Sequence, residues 1–168
     1  MNDRPSSPRD ELLGTLPSLR AFAVTLCGNA ERADDLVQEA LLRAWSNLHT
    51  FDQGTNMRAW LFTILRNAFY SQWRKRRNEV EDADGAMAAR LSVAAPQPSH
   101  MEMQDFKEAL SRIPPDQREA LILVQASGFS YEEAAEVCGC AVGTVKSRVN
   151  RARRRLAQML DMPEGGKA

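Results

Sequence analysis

Lys146, Ser147, Asn150, Arg151 and Arg154 recur at the spacing of one helix face, and their side chains are those that read nucleic acid. Arginine and lysine donate to guanine or hold phosphate, while serine and asparagine reach base edges. The run that carries them, 141–160, holds six cations and no acid. Between these positions Val142, Val145, Val149, Ala152 and Leu156 follow one another in steps of three and four. Such steps turn an apolar stripe to a core and the cations away from it.

A basic helix reads DNA only when something sets it in the groove. Just upstream, Ser130 and Glu133 form an S-x-x-E capping box, which starts a helix over Ala134, Ala135 and Val137. Cys138-Gly139-Cys140 then supplies a turn, with Gly139 free to take positive φ. Capped helix, glycine turn and acid-free helix, in that order, predict a helix-turn-helix. A solvated basic face on an ordinary amphipathic helix is the alternative, and it leaves the cap and the turn unexplained. Gly143 lies near the start of the reading helix at a propensity cost of about 1 kcal/mol. It suits either close backbone approach to phosphate or a packing contact.

The rest of the chain reads as helices that carry a second basic segment. Leu12, Leu16, Leu19, Ala23 and Leu26 share a helical face, and Gly28-Asn29 both ends that helix and caps the next. Ala33, Leu36, Val37, Ala40, Leu41, Ala44, Trp45 and Leu48 predict the buried face of a second helix. Asp34, Asp35, Gln38, Glu39 and Arg43 lie opposite. After a loop at 49–55, Thr55 or Asn56 caps a third helix over Trp60, Leu61, Ile64, Leu65, Ala68 and Phe69. Residues 53–78 hold six cations and no acid. The acids collect in 79–105, six against Arg90 alone, so local fields favour phosphate although the net charge is zero.

Residues 1–9 are polar and proline-containing, and they read as disordered. With Pro96 and Pro98 and its acidic start, 79–104 reads as a flexible linker. Met103, Phe106, Leu110 and Ile113 then share a face, Pro114-Pro115 starts another helix, and Gly128 ends it. No stretch alternates with period two. The expected fold is all-α: two small helical domains, 10–78 and 105–161, joined by the flexible, acidic, proline-containing linker 79–104, the second domain containing the helix-turn-helix.

Cys27, Cys138 and Cys140 imply no disulfide framework and fit a reducing cytosol. There is no apolar run of signal-peptide kind and none of the roughly 18 residues a membrane span needs. Zinc at Cys138 and Cys140 would require two more ligands, and His49 and His100 are remote in sequence. Isolated histidines, with no glycine-rich phosphate loop and no acid pair in catalytic context, argue against an enzyme. No cofactor and no small-molecule substrate are expected.

Here the sequence meets a family. AVGTVKSRVNRARRRL resembles the C-terminal DNA-reading region of bacterial RNA polymerase sigma factors. DDLVQEALLRAW and FDQGTNMRAWLFTILRNAF resemble their N-terminal region. The likeness spans 12–160 and is to the small extracytoplasmic-function group, in particular the alphaproteobacterial general stress-response type. It implies that Asp34, Asp35, Leu36, Val37, Gln38 and Glu39 meet the clamp coiled coil of the polymerase β′ subunit, with the β flap a further contact of the core enzyme. It also implies that the loop before the third helix captures an unstacked base of the minus-ten element. Asn56, Arg58, Trp60, Arg66 and Asn67 are the candidates there, with Arg74 and Lys75 on the DNA backbone. In the minus-thirty-five reader the implied contacts are Thr144, Lys146, Ser147, Arg148, Asn150, Arg151, Arg153 and Arg154. The family pattern favours Arg153 where the helical face favours Arg154. It usually has aliphatic residues in place of Cys138 and Cys140, which makes buried thiols the expectation. Its Ser or Asp cap is here Ala141, at a cost of about 0.5–2 kcal/mol.

The resemblance further implies an anti-sigma factor as partner, besides core RNA polymerase and promoter DNA. Two rivals remain at this point. A response-regulator mimic of a sigma factor would bind proteins only, but it need not keep the cations and Ser147, and it normally carries a receiver domain. A dimeric helix-turn-helix repressor would leave the first domain without a purpose.

Overall fold

The structure, a computed structural model, describes residues 6–82 and 98–161. Among the described residues seven α-helices carry the fold: α1 (Pro8–Cys27), α2 (Ala30–Ser46), α3 (Met57–Asp82), α4 (Pro98–Ser111), α5 (Pro115–Leu121), α6 (Tyr131–Cys138) and α7 (Val142–Met159). Among the described residues there is no strand, only an isolated bridge between Gln53 and Thr55. No described helix is long and apolar enough to cross a membrane.

Local chemistry sets most of the boundaries. Gly28 takes φ +68° and closes α1, and the Asn29 side chain accepts from the Arg32 N–H to open α2. Asn56 accepts from the Ala59 N–H at 3.1 Å, so it, not Thr55, caps α3. Ser130 and Glu133 make both bonds of the capping box, and Gly139 sits at φ +63° in the turn. Two boundaries differ from the sequence reading. Ser7 and Asp10 form a capping box of their own, with Pro8 in the first turn, so α1 starts within the stretch expected to be disordered; residues 1–5 lie outside the described part. Similarly, α3 runs on to Asp82 and α4 begins at Pro98. Both ends of the expected linker are therefore helical, and its middle, 83–97, lies outside the described residues.

The α2 stripe is narrower than expected. Ala33, Leu36, Ala40 and Ala44 are fully buried, but Trp45 is 67% exposed and Val37, Leu41 and Leu48 are half-buried. Alanines let α1 and α3 approach α2 closely, which leaves no room for an indole at the edge of the contact. Met103 and Phe106 of α4 are likewise exposed, and only Leu110 and Ile113 of their expected face reach the core.

The two helical domains expected from sequence also pack on each other, which the sequence did not show. α1 touches α5, and α3 touches α6. One apolar cluster runs from Leu19, Phe22 and Leu36 through Phe62 and Leu65 to Phe129, Val145 and Val149. Phe62 is the joint: its ring stacks on Phe22 at 5.0 Å and meets Phe129 edge-on at 4.9 Å.

Candidate nucleic-acid interface

In the second half, the burial of Val145, Val149 and Ala152 orients α7. Lys146, Ser147, Asn150, Arg151, Arg153 and Arg154 are all exposed. Exposure therefore does not choose between Arg153 and Arg154. The Lys146 ammonium lies 5.6 Å from the centre of the Tyr131 ring, a contact that steadies it at the edge of the face. Ala141 makes no side-chain cap bond. Thr144 is half-buried, and Arg148 corrects the sequence expectation. It turns inward, its Nε 3.6 Å from Asp116 and its Nη1 4.0 Å from Glu119, because position 148 borders the Val145–Val149 stripe.

In the first half, Trp60 is half-buried and tilts against Phe51 at 5.1 Å. With Arg43, Asn47, Thr50, Ile64 and Asn67 it lines an open cleft of about 310 Å³. Asn47 donates its amide N–H to the Arg43 carbonyl at 2.8 Å, a bond that does not use its Oδ1 acceptor. Arg43, Asn47 and Thr50 were missed from sequence; the signal was the polar spacing where α2 gives way to the loop. Asn67, Arg74 and Lys75 are exposed.

Asn56, Arg58 and Arg66 do not stand free in this conformation. Asn56 donates to Glu133 at 3.2 Å. Arg58 donates to the Ser127 carbonyl and lies over the Phe129 ring at 4.5 Å. Arg66 meets both oxygens of the fully buried Glu119, at 3.0 and 3.2 Å. Burial pushes the Glu119 carboxyl up, while Arg66 pulls it back toward the ionised form.

On α2, Asp35 and Gln38 are exposed and Val37 is half-buried. Asp34 holds Arg20 in a surface pair, Nε to Oδ1 at 2.7 Å. Glu39 is engaged by Arg43 and Gln72. Leu36 is wholly buried, so it cannot be a partner contact: the helix turns it into the core while Asp35 faces out.

The family description "Sigma-70 region 2" matches residues 14–79, and "Sigma-70, region 4" matches 103–156. The ECF RNA polymerase sigma factor EcfG of Rhodopseudomonas palustris is 63% identical over 92% of this chain and 85% of its own. The chain belongs to the sigma-70 family. It is a sigma factor of the extracytoplasmic-function group, a family that initiates transcription by directing core RNA polymerase to promoters. Among solved structures, RpoE of Bartonella quintana, in complex with the anti-sigma factor NepR, is 54% identical, covers 91% of this chain and 96% of its own, and has a TM-score of 0.83. The anti-anti-sigma factor PhyR of the same organism shares the fold alone, at 18% identity, over 90% of this chain and 50% of its own, with a TM-score of 0.59. High identity thus lies with EcfG and RpoE and not with PhyR.

The cysteines of this sigma factor are free. Burial, with Glu119 nearby, pushes the Cys138 thiol up to about 12, which keeps it protonated and unreactive. Cys140 is half-exposed and accepts from Arg148 at 3.9 Å. Alkylation of the native protein at pH 8 should label Cys140 well before Cys138, and denaturation should remove the difference. Equal native rates, read by peptide mass spectrometry, would contradict the buried placement.

Proposed function

We propose that this sigma factor docks on the polymerase β′ clamp through the exposed side of α2 and reads a promoter with both halves. Asp35 and Gln38 lead the clamp contact, flanked by Asp34, Val37 and Glu39. The β flap meets the second half. The cleft beside Trp60 takes an unstacked base of the minus-ten element, with Trp60 as an aromatic wall and Asn47 and Asn67 as hydrogen-bonding groups. Asn56, Arg58 and Arg66 join it once the halves separate, and Arg74 and Lys75 hold the backbone. Lys146, Ser147, Asn150, Arg151, Arg153 and Arg154 read the minus-thirty-five duplex from α7, with Thr144 at the margin.

The observation that carries this reading is an exposed, acid-free α7 face in one matched region and an open polar cleft in the other. The chain acts in the cytoplasm as a specificity subunit without an active site of its own, serving general stress genes. An anti-sigma factor restrains it. The likeness to a sigma factor held by NepR extends over nine-tenths of the chain, so the restraint acts on a packing close to this one. Run-off transcription with core polymerase, this chain and a genomic promoter library tests the assignment. Promoter-specific products are expected, and their absence across the library would sink it.

A further inference from the structure

Arg118 on α5 is a buried cation with no acid to meet it. The residue is only 7% exposed, and its Nε has no hydrogen-bond partner. The acids nearest to it in sequence are committed elsewhere, Asp116 to Arg148 and Glu119 to Arg66. Burial holds its guanidinium below the usual arginine range. A cation taken out of water is normally paired or fully hydrogen-bonded, because nothing else offsets its lost hydration. A buried polar group without a partner calls for a specific cause, such as a role in holding an ion.

Cations from two other helices share its surroundings. α5 packs on α1, and the Arg118 charge reaches Cys27, the last residue of α1. The chain turns there at Gly28, and the Asn29 cap accepts from the Arg32 N–H at 3.0 Å. Arg32 therefore stands in the first turn of α2, close to Cys27. Arg76 comes from the far part of α3. At about 100° per residue it points to the opposite side of that helix from Arg74, so the basic run 74–77 serves two faces. Burial raises the half-buried Cys27 thiol, and Arg76, Arg32 and Arg118 each pull it back. The fields of three guanidinium groups, from three helices, thus meet at one sulfur. None of the three is in a salt bridge among the described residues. The Tyr70 hydroxyl, buried and without a hydrogen-bond partner, lies within electrostatic reach of Arg118. Arg66 steadies it by stacking over the Tyr70 ring at 4.7 Å.

We propose that Arg118, with Arg32 and Arg76 at its rim, binds the phosphoryl group of a small phosphorylated ligand. A phosphoryl group carries the charge and the several acceptor oxygens that a set of guanidinium forks matches, and the Tyr70 hydroxyl can donate to one more oxygen. A single carboxylate would neutralise only one of the three cations. A small ligand fits better than a DNA backbone, because the central cation is more than nine-tenths buried and a polymer strand follows exposed surface. The rim cations are exposed, as groups that draw an anion from solvent must be. The site uses none of the residues assigned above to promoter or polymerase, so it stands apart from that reading.

Inorganic pyrophosphate is the probe, titrated into the full-length chain at constant ionic strength with chloride as the reference anion. At about a hundred times its dissociation constant it should raise the melting temperature by roughly 5 °C or more. Calorimetric titration should show binding at least about tenfold weaker for the double variant R32Q/R76Q, whose changes lie on the surface and spare the core. R118M should lose the binding altogether. Pyrophosphate should also slow alkylation of Cys27 several-fold and leave Cys140 unchanged, read by peptide mass spectrometry. Binding of equal strength to R32Q/R76Q and the parent chain overturns the site, as does stabilisation no greater than that by chloride. If circular dichroism finds R118M unfolded, the double variant and the Cys27 protection decide. A nontemplate minus-ten oligonucleotide is the last arm. Protection of Cys27 by the oligonucleotide as strong as that by pyrophosphate, at equal phosphate concentration, would overturn the small-ligand assignment and give these cations to the DNA backbone.

Discussion

Phe62→Ala lowers the unfolding free energy by about 3–5 kcal/mol and the melting temperature by about 10 °C. Phe62 is fully buried and among the largest side chains that are. Its ring serves two cores at once, stacked on Phe22 in the first half and edge-on to Phe129 in the second. It also forms part of the aromatic floor under Arg58, whose guanidinium lies 5.4 Å from its centre. Truncation therefore opens a cavity between elements distant in sequence, where neither half can collapse without moving away from the other. Loss of the Phe129 contact should also weaken the coupling of the halves, so the thermal transition should broaden as it falls. Differential scanning calorimetry reads both effects. A drop of under about 1 kcal/mol with an unchanged width would mean that the two cores are not joined at this ring.

The parts of the fold that were legible in sequence are those set by neighbours a few residues apart. Gly28-Asn29, the Ser130–Glu133 box and Gly139 each act within one helical turn, and the Val145–Val149–Ala152 stripe is a local period. Closure of the halves had no such signal. Arg66 and Glu119 are 53 residues apart, and Asn56 and Glu133 are 77. In sequence, an arginine in a basic segment looks the same whether it awaits phosphate or grips a buried carboxylate. A motif also names a stretch and not a face, so Leu36 and Asp35 stood together until the helix turned one inward and one outward. Trp45 failed for a related reason: the apolar period is right, but alanine-sized gaps decide which members of it fit. The cleft residues Arg43, Asn47 and Thr50 come together only when the end of α2 folds beside α3.

Asp35→Ala and Arg151→Ala should fail in opposite ways. Asp35 is exposed on α2, a helix that packs chiefly on α1 and α3. Loss of a carboxylate that pairs with a partner's cation costs about 2–5 kcal/mol where that pair is desolvated. Polymerase binding should therefore weaken by at least tenfold, while the isolated chain keeps its affinity for a minus-thirty-five duplex. Arg151 is exposed on α7, one turn beyond Ser147. If it reads a guanine edge, Arg151→Ala costs roughly 1–3 kcal/mol and relaxes discrimination at one base pair. If it holds phosphate, binding falls for every sequence alike and the salt dependence drops by about one counterion. Either way, core binding stays intact. Titrations of each variant against core polymerase and against duplex DNA, at several salt concentrations, separate these outcomes. A variant that lost both activities together would mean that clamp docking and duplex reading are not carried by separate surfaces.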